Sequence, residues 1–156
     1  DPDPGRVMSL LSEAFMRQAS PEIFTTLFYG VLDIRRQCIA YVNAGHEPPI
    51  LYRAGTGKIE RICSSGPLAG VISDPGYETQ EIPFHCGDLM LLYTDGATDA
   101  SHDGAWLGIE GLEDLLRTHI EDEVQNTLNA IWNGIGEFAH GKLRDDVALM
   151  LVRACG

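Results

Sequence analysis

The chain has 156 residues, which is enough for one domain with a substantial core, and 44% of them are hydrophobic. Its formal net charge is −12, so no basic face predicts binding to nucleic acid or to an anionic membrane surface. An excess of carboxylates suits divalent metal ions, although an acidic surface also serves solubility alone.

The cysteine pattern excludes one kind of metal site. Cys38, Cys63, Cys86 and Cys155 include no Cys-x-x-Cys pair, which argues against zinc and predicts reduced thiols in a cytoplasmic protein. The sequence contains no run of 18 apolar residues, so no membrane span is predicted, and no signal peptide is visible. Because the chain opens on Asp-Pro-Asp-Pro without a methionine, we expect it to be cut from a longer protein.

The first segment predicts a helix followed by a hairpin. A capping Asp3 with proline in the first turn favours a helix start, and Ser20-Pro21 predicts its end. Residues 24–32 and 38–43 are rich in strand-forming residues and are predicted to pair across a polar turn. Helical spacing assigns the buried face of the helix to Val7, Leu10, Leu11, Ala14 and Phe15.

The middle of the chain predicts a succession of short strands. Residues 50–53 and 58–62 flank a glycine-rich turn. Residues 68–72 form either a short strand or a packed loop, and the mostly polar residues 77–82 are predicted to lie near a sheet edge. The apolar residues 89–93 predict a strand buried on both faces.

The last third predicts two helices and a final strand. Apolar residues recur at helical spacing over residues 109–120 and 124–138, Gly141 ends the second helix, and residues 147–152 form the strand. With about seven or eight short strands before the helices and many tight turns, antiparallel sheets are expected. We predict an α+β fold, a four-layer αββα sandwich of two antiparallel sheets flanked by helices, as a single domain over residues 1–156.

The first candidate functional residue is Asp95, at the end of the buried strand 89–93. Gly96 permits backbone angles that other residues resist, and therefore predicts a sharp turn. An Asp-Gly pair after an apolar strand is most often an ordinary turn, and that alternative stays open. The functional alternative is a carboxylate held where it can bind a hard cation.

Asp145 and Asp146 occupy the same kind of junction, immediately before the last strand. If that strand neighbours residues 89–93, the carboxylates meet at one end of a sheet. Carboxylates and water suit Mg²⁺ or Mn²⁺, and two such ions hold a hydroxide in line with a phosphoryl group. The alternative is an acidic connecting loop without function. His46 either lines a site or fixes its own loop by hydrogen bonds, and we favour the structural role.

Five segments in order resemble one family. They are Phe-Thr-Thr-Leu-Phe-Tyr-Gly-Val-Leu-Asp at 24–33, Tyr-Val-Asn-Ala-Gly-His-Glu-Pro-Pro at 41–49, Gly-Pro-Leu-Ala-Gly at 66–70, Gly-Asp-Leu-Met-Leu-Leu-Tyr-Thr-Asp-Gly at 87–96 and Arg-Asp-Asp-Val-Ala-Leu at 144–149. With these segments the chain is similar to the bacterial stage II sporulation protein E-like (RsbU-type) branch of the PPM metal-dependent serine/threonine protein phosphatases. The match covers nearly the whole chain, and the order of the five segments makes it specific.

The resemblance implies two antiparallel sheets with helices outside, and hydrolysis of phosphoserine or phosphothreonine by a water that bridges two Mn²⁺ or Mg²⁺ ions. Asp95 and Asp145 match family metal ligands and are the predicted catalytic residues, with Asp146 as a further metal candidate. Asp99 stands where the family usually has an acid and is not assigned as a ligand. The substrate of this branch is often a phosphorylated anti-sigma factor antagonist, and an attached sensor domain commonly sets the activity.

One family motif is absent from the sequence. The family begins with Asp-x-x-Gly-His-Gly, whose Asp bridges the metals, whereas the Gly45-His46 pair belongs to a later motif. We therefore expect a preceding strand and helix to be missing, and this chain to be the C-terminal catalytic part of a longer regulatory protein. Alone, it should bind metal weakly and turn over poorly. Apolar surface left by the missing strand makes a dimer plausible. The alternative is a non-catalytic phosphatase-like module that docks a signalling partner.

Overall fold

The computed structural model describes residues 3–18, 24–73, 75–121 and 123–155. The predicted helix end at Ser20-Pro21 lies outside these residues. In the described part of the chain, no helix combines the length and the apolar character needed to cross a membrane.

The described elements confirm a mixed α+β protein with antiparallel sheets. The helices are α1 (Pro4–Gln18), α2 (Asp95–Thr98), α3 (Gly108–Thr118) and α4 (Val124–Phe138). The strands are β1 (Leu27–Asp33), β2 (Cys38–Ala44), β3 (Ile50–Arg53), β4 (Lys58–Arg61), β5 (Gln80–Pro83), β6 (Leu89–Tyr93), β7 (Ser101–His102), β8 (Ala105–Trp106) and β9 (Leu149–Arg153). All strand pairs between named strands are antiparallel.

The chain divides into two compact units. The first consists of Asp1–Pro48 and Ile62–Cys86, and the second of Pro49–Arg61 and Gly87–Gly156. The first unit holds a sheet of order β1-β2-β5, and the second a sheet of order β4-β3-β6-β9 with the small β7-β8 hairpin. Each unit therefore carries its own sheet, and the single-domain assignment stays a prediction.

In the first unit, α1 buries a different face from the predicted one. Met8 and Ser12 are completely buried, whereas Leu10 and Leu11 are exposed. The Ser12 hydroxyl oxygen accepts a hydrogen bond from the N–H of Gly70 at 3.0 Å. Of the other predicted positions, Val7 and Phe15 are half-buried and Ala14 is exposed, so the buried face contains Met8 and Ser12 instead of the two leucines.

The predicted strand pairing and the predicted edge strand of the first unit are confirmed. β1 and β2 form the expected hairpin, and β5 pairs with the other side of β2, at the edge of the sheet. Residues 68–72 form no strand, and only an isolated bridge joins Ala69 to Thr25. The packed-loop alternative is the correct one for that segment.

The second unit is built around β6, which pairs with β3 on one side and β9 on the other. Both edges of β6 are hydrogen bonded, and consecutive residues on both of its faces are buried, with only Leu92 half-buried, as predicted. Helices α3 and α4 contribute the opposite wall of the core. Its completely buried members are Ile50, Leu89, Leu91, Ala97, Leu112, Leu116 and Ile131.

The cysteines are all free, but they do not share one environment. Cys38 is buried, whereas Cys63, Cys86 and Cys155 are exposed. Burial first, and the nearby Glu81 carboxylate second, raise the pKa of the Cys38 thiol. Cys38 therefore packs as a small apolar side chain, whereas the other three thiols are exposed.

Candidate metal centre

The pairing of β6 with β9 brings the two acidic junctions to the same end of one sheet. Tyr93, the last residue of β6, pairs with Leu149, the first residue of β9. Because the strands run antiparallel, the residues after Tyr93 and the residues before Leu149 leave the sheet side by side. The condition set by the sequence, that these strands be neighbours, is met.

Thr94 ties the two junctions together through its backbone and its side chain. Its N–H donates to the carbonyl of Ala148 at 3.1 Å, and its hydroxyl oxygen accepts from the N–H of Ala148 at 2.9 Å. The hydroxyl also donates to the carbonyl of Asp146 at 2.9 Å. These three bonds continue the β6–β9 pairing beyond the strands and fix the acidic loop next to Asp95.

Gly96 serves a different purpose from the predicted one. It lies in the short helix α2 and is not among the glycines with positive φ, so the chain turns after β6 without the backbone angles that other residues resist. A Cβ atom there would lie 2.5 Å from the carbonyl oxygen of Asp146. Glycine is therefore required by the close approach of the acidic loop, and not by the backbone angles.

The three candidate carboxylates are exposed. Two of them each accept a hydrogen bond from the backbone N–H of the next residue. Oδ1 of Asp95 accepts a hydrogen bond from the N–H of Gly96 at 2.9 Å. Oδ1 of Asp145 accepts one from the N–H of Asp146 at 2.8 Å. In each case the second carboxylate oxygen has no hydrogen-bond partner in the described part of the chain, so it remains available to a ligand.

The carboxylate oxygens are the right type of ligand for a hard cation, but too few of them lie together to form a complete metal site. Carboxylate oxygens are the ligands that Mg²⁺ and Mn²⁺ prefer. In the described residues, however, no group of three or more His, Cys, Asp or Glu side chains is placed to hold a metal ion. Asp95, Asp145 and Asp146 thus share one end of a sheet without forming a complete metal cage.

A hairpin that the sequence analysis missed contacts the loop leading to Asp145. The rings of His102 and His140 stack at 3.7 Å between centroids, with 4° between their planes. The Arg144 guanidinium carbon lies 5.7 Å from the centre of the Trp106 ring. The available signal was the Asp103-Gly104 pair, because Asp-Gly between two short strands is typical of a two-residue hairpin turn.

His46 lies in the first unit, where Asn43 organises its loop. The N–H of His46 donates to Oδ1 of Asn43 at 2.8 Å, and its carbonyl accepts from Nδ2 of Asn43 at 3.1 Å. Within the described residues, the one hydrogen-bond contact of the His46 ring is with the hydroxyl of Thr26, at 3.5 Å. The loop is therefore fixed mainly by the Asn43 side chain and the backbone of His46, not by the imidazole.

Two sequence comparisons relate this chain to the same kind of protein. A sequence model of the family described as Stage II sporulation protein E (SpoIIE) matches residues 1–154. The chain is similar to "Phosphoserine phosphatase RsbU" of Bacillus subtilis (strain 168), with 23% identity over 150 residues that cover 96% of this chain and 45% of that protein. The chain thus spans less than half the length of this curated relative.

Two solved structures share the fold. The SiaA-PP2C domain of Pseudomonas aeruginosa aligns with a TM-score of 0.82 and 20% identity, covering 97% of this chain and 61% of that chain. The phosphatase domain of the cell fate determinant SpoIIE from Bacillus subtilis (Mn presoaked) aligns with a TM-score of 0.72 and 13% identity, covering 99% of this chain and 74% of that chain. At these identities the likeness establishes the fold alone.

Proposed function

This chain belongs to the stage II sporulation protein E family, and we propose that it is most of the catalytic domain of a metal-dependent serine/threonine protein phosphatase. The observation that carries the proposal is the adjacency of β6 and β9, which places Asp95 beside Asp145 and Asp146. The substrate is a phosphorylated regulatory protein, such as an anti-sigma factor antagonist. The printed name of RsbU, a phosphoserine phosphatase, supports this class of substrate.

Asp95 and Asp145 are proposed to hold the metal, with Asp146 as an additional ligand. If bound there, two Mn²⁺ or Mg²⁺ ions would lower the pKa of a water molecule and stabilise the charge of the phosphoryl group. The chain itself orients the carboxylates. Local N–H groups fix one oxygen of Asp95 and one of Asp145, and Thr94 holds the acidic loop in register.

The rest of the site is proposed to come from sequence that precedes this chain in a longer protein. The family motif Asp-x-x-Gly-His-Gly is absent from these residues, and the described carboxylates do not reach the number a metal cage needs. We propose that a preceding segment supplies the bridging carboxylate and that a sensor domain attached upstream controls it. A cytoplasmic location and a dimeric state remain predictions.

The incomplete donor set also favours a second candidate function. A phosphatase-like module that lacks a metal cage would keep the fold and bind a signalling partner without hydrolysis. The two candidates differ in one property, because the enzyme requires Mn²⁺ or Mg²⁺ at Asp95 and Asp145, whereas the binding module does not.

Hydrolysis of p-nitrophenyl phosphate separates the two candidates. The test compares this chain with a version extended upstream, each with Mn²⁺ and with chelator, together with Asp95→Asn and Asp145→Asn. Asp114→Asn is the matched control, because Asp114 is an exposed acid on α3 that pairs with Arg117. We expect activity from the extended protein alone, abolished by the two site substitutions and by chelator, and unchanged by the control.

Other outcomes decide against parts of the proposal. Robust Mn²⁺-dependent turnover by the 156 residues alone would show that the site needs no preceding segment. Inactivity of both versions, with no Mn²⁺ binding by calorimetry, would favour the binding module instead.

A further inference from the structure

Arg144 directly precedes the candidate ligands, yet it pairs with neither of them. In the described part of the chain, no carboxylate forms an ion pair with its guanidinium, although Asp145 and Asp146 are its neighbours in sequence. The guanidinium lies instead over the ring of Trp106 at 5.7 Å. Trp106 is itself 56% exposed, so this cation–π contact sits at the surface, open to a partner molecule.

Arg144 is one of the described arginines, with Arg6 and Arg35, that form no ion pair with an acid in the described residues. The net charge is −12, and most described arginines are engaged with acids. Lys142, two residues before Arg144, is also exposed and forms no ion pair in the described residues. The loop before Asp145 thus presents two available cations beside the candidate metal ligands. The paired arginines are Arg17, Arg36, Arg53, Arg61 and Arg117.

The loop that carries these cations is held in place from both ends. At its start, the ring of His140 stacks on His102 of the β7-β8 hairpin. At its end, the carbonyl of Asp146 accepts the Thr94 hydroxyl. A guanidinium held over an aromatic face on a fixed loop loses less conformational freedom when it binds a ligand.

We propose that Arg144, positioned by Trp106, binds acidic residues that flank the phosphorylated residue of the protein substrate, and so sets substrate specificity. This rests on the proposed phosphatase function. An acidic phosphopeptide is repelled by a chain of net charge −12, and local cations offset that repulsion where the substrate must dock. The planar guanidinium pairs with carboxylates through two parallel hydrogen bonds.

The test measures binding of two fluorescent phosphoserine peptides to the full-length protein by anisotropy, in EDTA so that neither peptide is hydrolysed. One peptide carries Asp and Glu on both sides of the phosphoserine, and the other carries Ala. We expect wild-type protein to prefer the acidic peptide and Arg144→Gln to lose about three- to five-fold in affinity for that peptide alone. Trp106→Ala and Arg144→Lys should each lose part of the preference, because lysine keeps the charge but not the planar fork that stacks on the ring and pairs with a carboxylate, whereas Trp106→Phe should retain most of it.

Lys58→Gln is the matched control. Lys58 is also exposed and without an ion pair in the described residues, and it lies at the opposite end of the same sheet, since it pairs with Arg53 and the adjacent Tyr52 pairs with Leu89. This control should leave the preference unchanged. Added salt should reduce the preference in wild type, because exposed charge pairs are screened.

Three results would overturn the proposal: equal affinity of wild type for both peptides, an equal loss for both peptides in Arg144→Gln, or the same loss in Lys58→Gln. Failure of the phosphatase function is visible separately. It would appear as no Mn²⁺-dependent hydrolysis of p-nitrophenyl phosphate by the full-length protein, and the anisotropy result would still decide the role of Arg144.

Discussion

The hydroxyl of Thr94 donates a hydrogen bond to the carbonyl oxygen of Asp146 at 2.9 Å, although the two residues are 52 positions apart in the sequence. The same hydroxyl accepts the N–H of Ala148. One side chain therefore joins the end of β6 to the acidic loop before β9. The position of that loop relative to Asp95 depends on this threonine.

Replacing Thr94 tests this dependence. Thr94→Val keeps the shape but removes both side-chain hydrogen bonds, and we expect the free energy of unfolding in urea to fall by about 1–2 kcal/mol. In the full-length protein, Mn²⁺ affinity should fall as well, because the loop is no longer fixed. Thr94→Ser, which keeps the hydroxyl, is the control and should stay close to wild type. Equal behaviour of the two variants would show that the hydroxyl is unimportant.

Gly96→Ala tests the close approach of the acidic loop. The added Cβ would meet the Asp146 carbonyl oxygen at 2.5 Å, so the backbone must move, at a cost of about 1–3 kcal/mol. We expect a lower melting temperature and weaker Mn²⁺ binding by the full-length protein. The control is Gly136→Ala in α4, where a Cβ meets no atom within 4 Å and alanine should stabilise the helix slightly. A stable, fully metal-binding Gly96→Ala protein would contradict this role.

Asn43 is the most connected buried polar side chain of the first unit. It is completely buried, donates from Nδ2 to the carbonyls of His46 and Ile62, and accepts the N–H of His46 at Oδ1. Asn43→Ala leaves these buried groups unpaired, so we expect a loss of about 2–4 kcal/mol in urea unfolding. Asn133→Ala on the exposed side of α4 is the control and should change stability by less than about 0.5 kcal/mol. A small effect at Asn43 would mean that water replaces its hydrogen bonds.

Glu110 provides a prediction about pH. Its own backbone N–H, at the start of α3, and secondly the Arg61 guanidinium lower the pKa of this carboxyl below 4.5. A carboxyl with a lowered pKa in the folded state stabilises the fold above its unfolded pKa, and the contribution disappears as pH falls through the folded pKa. The melting temperature of wild type should therefore exceed that of Glu110→Gln at pH 7, and the difference should shrink below about pH 4.5.

The control for Glu110 is Glu78→Gln, an exposed glutamate without an ion pair in the described residues. At pH 7 its melting temperature should stay close to that of wild type. A constant difference between wild type and Glu110→Gln from pH 7 to pH 3 would exclude the carboxylate as its origin.

Two Asp-Gly pairs show what a dipeptide alone can and cannot predict about local structure. Asp103-Gly104 forms the hairpin turn that this dipeptide favours, with φ of 48° and 82°. Asp95-Gly96 has the same residues but begins α2, because Thr94 is already bonded to the β9 side and the acidic loop leaves no room for a side chain. The dipeptide alone does not distinguish a turn from a candidate ligand position.

Helix α1 shows the same limit for hydrophobic periodicity. Its existence followed from its cap and its spacing, but its buried face did not, because Leu10 and Leu11 are exposed while Ser12 is buried. The contact between Arg144 and Trp106 was also beyond prediction. It joins side chains that are far apart in the sequence, and local sequence patterns do not predict which distant side chains come into contact.

The sequence by itself determined the longer strands and helices, the α+β class and the positions of Asp95, Asp145 and Asp146 near strand ends, since alternation, helical spacing and turn residues are local properties of the chain. Only the tertiary structure decided that β6 and β9 are neighbours and that Thr94 and Gly96 place the acidic loop beside Asp95. Pairing between distant strands depends on which complete arrangement of the core and its hydrogen bonds has the lowest free energy. That choice is made by the whole fold and not by any one segment.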